Sequence, residues 1–334
     1  MRARYLVSAM ATLAVVMTAG AGLASGGENV QAPRSPKGAL PDVINASAPS
    51  LHPEGVAWDP ARKSFLVGSV RHGTVSVVGL DGQTQTLVNE PRIVSTVGVH
   101  VDVKRNRVLA AYADYGVGTR STEATAFTQA GLGIFDLTTG RTLHLVNLAI
   151  GPGPHVANDF ALDPAGNAYV TDTASDKIFK VDVNGRASLL AQDPRFTGPA
   201  GDGLNGIVWH PGGYLLAVRY DTGSLLRISL RDPVSIVEVR LDQPLVGGDG
   251  MLLRPDGTLV VATNALGQSL EGTVRELRSR DGWASATTTR NVSPWTDPVP
   301  STVALTSNGS YVISGRIDLL IGGTLTDEFT LRRF

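Results

Sequence analysis

The chain has 334 residues, a formal net charge of −1 from 29 basic and 30 acidic side chains, and no cysteine. Disulfide-stapled folds, cysteine-based zinc or iron–sulfur sites and cysteine nucleophiles are thereby excluded, and the balanced charge argues against bulk attraction to nucleic acid or an acidic membrane. A hydrophobic fraction of 42% is that of a folded protein, and 38 glycines with only 18% charged residues point to many turns and short strands rather than long helices.

In chain order, Arg2 and Arg4 precede an uncharged run of apolar and small residues from Tyr5 to Ala24. A charged start, an apolar middle and a small-residue end (Ala19, Gly20, Ala21, Gly22, Ala24) form the pattern of a secretory signal peptide, expected over 1–26. The alternative is an uncleaved anchor, since about 20 apolar residues can cross a bilayer. Cleavage would leave a secreted protein, extracellular or periplasmic, without membrane attachment. Residues 27–40 are polar and rich in Pro and Gly, hence a linker. The folded domain is expected over 41–334.

Within that domain one motif recurs: a polar residue, usually Gly, two or three apolar residues, a polar residue and a turn. The copies read EGVAWDP from Glu54, VGVHVDV from Val97, NDFALDP from Asn158, NGIVWHP from Asn205, DGMLLRP from Asp249 and STVALTS from Ser301. Their starts are separated by 43, 61, 47, 44 and 52 residues. Each is followed by a turn signal and a second apolar run (FLVGSV, VLAAYA, AYVTDT, YLLAVR, LVVATN, YVISGR). A period of roughly 40–50 residues with up to four strands per unit predicts an all-β, six-bladed β-propeller. The 61-residue gap is assigned to an insert, Gly116 to Ala130, forming a loop or lid. The last unit is short, so the stretch Pro41–Ser47 is expected to supply its missing strand and close the ring.

In a propeller, equivalent positions of the innermost strands surround a central channel. The first motif position reads Glu54, Val97, Asn158, Asn205, Asp249 and Ser301, whereas the positions two and four residues on are apolar and read as packing. Two carboxylates and two amides converging without a counter-charge would be costly to bury. A divalent cation resolves this, and hard oxygen donors without His or Cys suit Ca²⁺, less closely Mg²⁺ or Mn²⁺. Glu54, Asn158, Asn205 and Asp249 are the expected ligands. The alternative is that they cap the channel through water and backbone hydrogen bonds.

These motifs resemble the regucalcin/gluconolactonase group, also called senescence-marker-protein-like, over roughly Leu51 to Phe334. The matches are PEGVAWD with Glu54, ND in ANDFALDPAGNAYVTDT with Asn158, LNGIVW with Asn205, and GDGM with Asp249. The resemblance implies a six-bladed propeller with a divalent metal held by Glu54, Asn205 and Asp249. Asn158 would be a fourth ligand or a substrate contact. The implied activity is hydrolysis of lactones and some organophosphate esters. One departure bears on substrate: sugar-lactonase members carry an Arg two residues before the third-blade Asn, and this chain has Val156 there.

The second strand of each unit returns toward the metal face, which places Asp114, Asp172, Arg219, Tyr220, Asn264 and Arg316 around the site as substrate-lining candidates. Arg219 could hold an anionic group or an oxyanion, while Asp172 reads equally as a turn residue. His155, three residues before Asn158, is the histidine best placed for proton transfer. His100 reads as an interior residue and His210 as a turn residue. No G-x-S-x-G nucleophile elbow and no phosphate-cradling loop occurs. The functional expectation is a secreted, Ca²⁺-type hydrolase of a small-molecule lactone or related ester, with Asp249 as favoured base or nucleophile and His155 second. The alternative is a non-enzymatic binding propeller with a structural Ca²⁺.

Overall fold

The computed structural model describes residues 40–198, 202–231, 235–264, 266 and 271–334. The segments expected to be a signal peptide and a linker, apart from Leu40, lie outside the described residues.

Strand β1 (Val43–Ser47) precedes four strands in series, β2 (Pro53–Asp59), β3 (Ser64–Ser69), β4 (Thr74–Val78) and β5 (Thr84–Asn89). The same up-and-down pattern repeats as β6 (Ser95–Asp102), β7 (Arg107–Ala113), β8 (Ala130–Asp136) and β9 (Thr142–Asn147), then as β10 (Ala157–Leu162), β11 (Ala168–Asp172), β12 (Lys177–Val181) and β13 (Ala187–Gln192). It continues through β14 (Leu204–His210), β15 (Tyr214–Arg219), β16 (Leu225–Ser229) and β17 (Ile236–Leu241), and through β18 (Gly248–Leu253), β19 (Leu259–Thr263), β20 (Thr273–Arg278) and β21 (Ser285–Val292). The chain ends with β22 (Pro300–Thr306), β23 (Gly309–Ser314), the single turn of helix α1 (Ile317–Ile321) and β24 (Glu328–Arg333). The all-β expectation holds, with α1 the one α-helix among the described residues.

Four sheets have four strands. The fifth has eight, because the meanders β14–β17 and β18–β21 touch through a short parallel pairing of Arg240 with Ser285 and Leu241 with Ala286. β1 adds to the chain's last sheet, in the order β1-β24-β23-β22, with Val43 opposite Arg332 and Ser47 opposite Glu328. The first strands of the units adjoin in the order β2, β6, β10, β14, β18, β22, and β22 lies against β2. There the Ser301 hydroxyl donates to the Glu54 carbonyl at 2.7 Å.

A register shift recurs in every first strand, at the motif's start. Asn158 and Asp159 together oppose the single residue Thr171, and the same irregularity separates Pro53 from Val56, Thr96 from Val99, Leu204 from Ile207, Gly248 from Met251 and Pro300 from Val303. A bulge leaves one residue unpaired and re-aims its side chain. The residue after the ring position is Gly in four copies because the next strand passes very close. A Cβ on Gly55 would lie 2.1 Å from the Val97 carbonyl oxygen, and one on Gly206 2.0 Å from that of Asp249.

The residues two positions on, Val56, Val99, Phe160, Ile207, Met251 and Val303, are buried and help pack the sheets against one another. The four-residue position differs from expectation. Trp58, Val101, Leu162, Trp209 and Leu253 are only half-buried and Leu305 is 37% exposed, because they lie near the strand's far end, at the opposite rim. His100 is not interior either; its side chain is 39% exposed and packs edge-on against Phe160. His210 behaves as a turn residue, accepting from the Gly212 amide and stacking on Tyr214.

Gly206→Ala is expected to cost roughly 3 kcal/mol or more, since the added methyl meets backbone that cannot withdraw. Gly213→Ala has left-handed backbone (φ +82°) but nothing within 4 Å, and should cost only about 1–2 kcal/mol. Chemical denaturation of the two variants measures the difference.

Candidate metal centre and active site

Glu54, Asn158, Asn205 and Asp249, each the first residue of a bulge, are 4–7% exposed. Asp249 adjoins both the Glu54 carboxyl and the Asn205 amide, and Thr302 also adjoins Glu54. Asn158 joins the set through Tyr115, to whose hydroxyl its Nδ2 donates at 3.3 Å. The remaining ring positions are not donors to the centre: Val97 is apolar and the Ser301 hydroxyl is spent on Glu54.

Three buried acceptor oxygens in this group, Glu54 Oε2, Asn158 Oδ1 and Asn205 Oδ1, have no hydrogen-bond donor. Buried acceptors are ordinarily satisfied. Leaving three together is expensive unless a cation is the missing partner. The electrostatics agree. Burial, then the neighbouring Asp249 and Asp159 charges, raises the Glu54 carboxyl well above its ordinary range. Burial pushes Asp249 up to about 7 against the donation it receives from Asn264. The site thus wants positive charge. Among the described residues no group of three or more His, Asp or Glu is arranged to hold a metal. The donor set here is two carboxylates with two amides, which fits a hard cation of the Ca²⁺ type and no soft one.

Asp249 is held from behind. Asn264 Nδ2 donates to its Oδ2 at 2.5 Å and to the Pro300 carbonyl at 3.0 Å. The Tyr220 hydroxyl donates to Asn264 Oδ1 at 2.8 Å and accepts from the Leu266 amide at 3.0 Å. Tyr220 and Asn264, expected at the site, are therefore there as a chain of hydrogen bonds that orients Asp249 rather than as free lining groups.

Five other expected residues sit differently. His155 Nδ1 lies 2.6 Å from Asp172 Oδ2 and its Nε2 3.3 Å from the Gly151 carbonyl, so both ring nitrogens meet oxygens of its own unit. The Asp172 contact raises the His155 pKa against the effect of burial. Asp172 also accepts from the Val156 amide at 2.8 Å, clamping the segment that leads into Asn158. Both act on the position of the strand. Arg219 is bound to Asp221 at 2.6 Å and Arg316 to Asp318 at 3.1 Å, each through Nε and Nη2. Asp114 accepts from the Gly116 amide, Ser121 and Thr125 and organises the insert after β7. Arg120 fixes that insert to the first two units through the His72 and Ile93 carbonyls, both at 2.8 Å.

Two residues were not foreseen. Asp159 occupies the position that is Gly in four copies and Thr in the sixth. It is 4% exposed, its charge bears on Glu54 and Asp249, and its Oδ1 lies 3.8 Å from His100 Nε2. Aligning the six copies exposes it as the one acidic exception. Tyr115 comes from the insert, outside any repeat, and no sequence signal distinguishes it.

No protein-family model and no curated protein sequence matches the chain. Solved structures do match its fold. The major allergen Mala s 1 of Malassezia sympodialis aligns at a TM-score of 0.69 and 19% identity, covering 88% of this chain and 96% of its own. A gluconolactonase from Xanthomonas campestris aligns at 0.58 and 14%, covering 88% and 90%. The calcium-binding protein regucalcin from Agrobacterium tumefaciens aligns at 0.57 and 16%, covering 86% and 93%.

The buried carboxyls predict a linked pH and metal response. A folded-state pKa of about 7 for Asp249, raised from 3.8, and the raised value of Glu54 mean that stability is fully present below the unfolded pKa values and is lost as pH rises through the folded ones. The melting temperature of chelator-treated protein should fall between pH about 5 and about 8, and saturating Ca²⁺ should flatten that slope. A flat profile without Ca²⁺ would contradict the charge assignment. The chain shares its fold with these structures, two of which are the gluconolactonase and the regucalcin that its motifs resemble.

Proposed function

We propose that the chain is an exported, closed six-bladed propeller that hydrolyses a lactone or related ester at a divalent cation, Ca²⁺, held by Glu54, Asn158, Asn205 and Asp249. Closure is supported by β1 beside β24 and by the cyclic adjacency of the first strands. Export is supported by Arg2, Arg4 and the apolar run to Ala24. The observation that carries the functional reading is the trio of buried acceptor oxygens without donors beside Asp249.

When bound, a divalent cation supplies Lewis-acid polarisation of a substrate carbonyl. Asp249, oriented by Asn264 and Tyr220, takes a proton from the attacking water as that water's oxygen bonds to the acyl carbon. The proton is then returned to the alkoxide as the acyl C–O bond breaks, giving a hydroxy acid from a lactone. The Tyr115 hydroxyl accepts from Asn158 and retains its own proton, which it can donate to the developing oxyanion. Asp172 and His155 keep the Asn158 strand in place.

Asp249→Asn keeps shape and one oxygen donor while removing charge and basicity. Against a panel of lactones and aryl esters, activity should fall about 10²–10⁴-fold and stay low at saturating Ca²⁺, as for a missing general base. Recovery by excess Ca²⁺ would reduce Asp249 to a ligand. Absence of turnover by the unaltered protein, with Ca²⁺ and with chelator alike, would leave a binding propeller instead.

A further inference from the structure

The two arginines that the sequence offers for substrate binding are each paired with a neighbouring aspartate, Arg219 with Asp221 and Arg316 with Asp318. Arg120 is spent on backbone carbonyls and the Asn89 side chain. Arg71, just beyond β3, is different. No acid pairs with it among the described residues. The guanidinium's one hydrogen bond among the described residues runs from Nη1 to the Val117 carbonyl at 2.9 Å, its Nε is buried without an acceptor, and the Arg71 carbonyl accepts from the Thr119 amide at 2.8 Å. Asp318, which acts on the neighbouring His52, is bound to Arg316. His52, beside Arg71, supplies no counter-charge; burial lowers its pKa, and its nitrogens contact the Arg316 carbonyl and the Thr326 amide.

The surroundings tie Arg71 to the candidate site. Val70, the preceding residue, belongs to one contiguous apolar cluster with the ring residue Val97 and with Ile317 and Leu320 of α1. Tyr115 and Val117 of the insert pack on that cluster. The insert therefore holds Arg71 through Val117 and reaches Asn158 through Tyr115. A guanidinium drawn partly out of water among apolar groups, with donors left open, favours an anionic acceptor. Its planar fork matches a carboxylate in a bidentate geometry.

We infer that Arg71 binds an anionic group of the substrate, and that the substrate is a lactone or ester carrying a carboxylate. The inference rests on the hydrolytic reading above.

The test compares a γ-lactone bearing a ring carboxylate with the corresponding carboxamide, using the full chain with Ca²⁺. Arg71→Gln should raise KM for the carboxylate about tenfold or more while leaving its kcat, and both constants for the carboxamide, within about twofold. Arg71→Lys should recover part of the loss, and the Ca²⁺ affinity of all three proteins, by calorimetry, should agree. Equal changes with both substrates, or no change with either, would overturn the assignment. If the unaltered protein hydrolyses neither lactone, the hydrolytic reading fails separately. Binding of cyclopentanecarboxylate, measured by calorimetry, then decides on Arg71: affinity lost in Arg71→Gln supports it, and no binding to the unaltered protein overturns it.

Discussion

The close approach of successive first strands around the axis is the constraint on which the rest depends. Glycines such as Gly55 and Gly206 let one backbone pass within about a hydrogen-bond length of the next, closer than any side chain would permit. The accompanying bulge leaves the residue before each glycine unpaired in the ladder. Strand packing and site formation are thus one event. The same backbone irregularity that lets the strands crowd together turns Glu54, Asn205 and Asp249 toward one another.

That crowding has an electrostatic consequence. Two carboxylates and two amides are brought together with too few donors, and Asp159 adds a third negative group where most copies have no side chain. The surrounding structure orients these groups without neutralising them. Tyr220 and Asn264 stand behind Asp249, Tyr115 beside Asn158, and Asp172 with His155 beneath the segment entering β10. Such outer partners hold ligand rotamers at fixed angles and leave the inward-facing oxygens for a cation.

The departures from six-fold regularity supply the individuality of the site. The insert after β7 is fastened by Arg120 and Asp114, delivers Tyr115 to the centre and carries the carbonyl that holds Arg71. α1 adds Ile317 and Leu320 to the same apolar cluster. These contacts come from segments outside the repeat, while the repeat provides the scaffold.

The repeat itself was legible in the residues: turn signals, β-branched runs and the polar first position of each copy are local patterns, and they carried the all-β class and the four central residues. Even the strand at Pro41–Ser47 followed from the shortness of the last unit, and appears as Val43–Ser47 beside β24. Which partners the surrounding residues take was decided only by tertiary structure. His155, Asp172, Arg219 and Arg316 have the right chemistry and stand near the right strand ends, yet each is committed to a neighbour. Tyr115, which meets Asn158, and Val117, whose carbonyl holds Arg71, carry no repeat signature and are placed by the segment after β7. A strand's period reports which face a side chain occupies; whether its charge is already met depends on segments that meet only when the chain has folded.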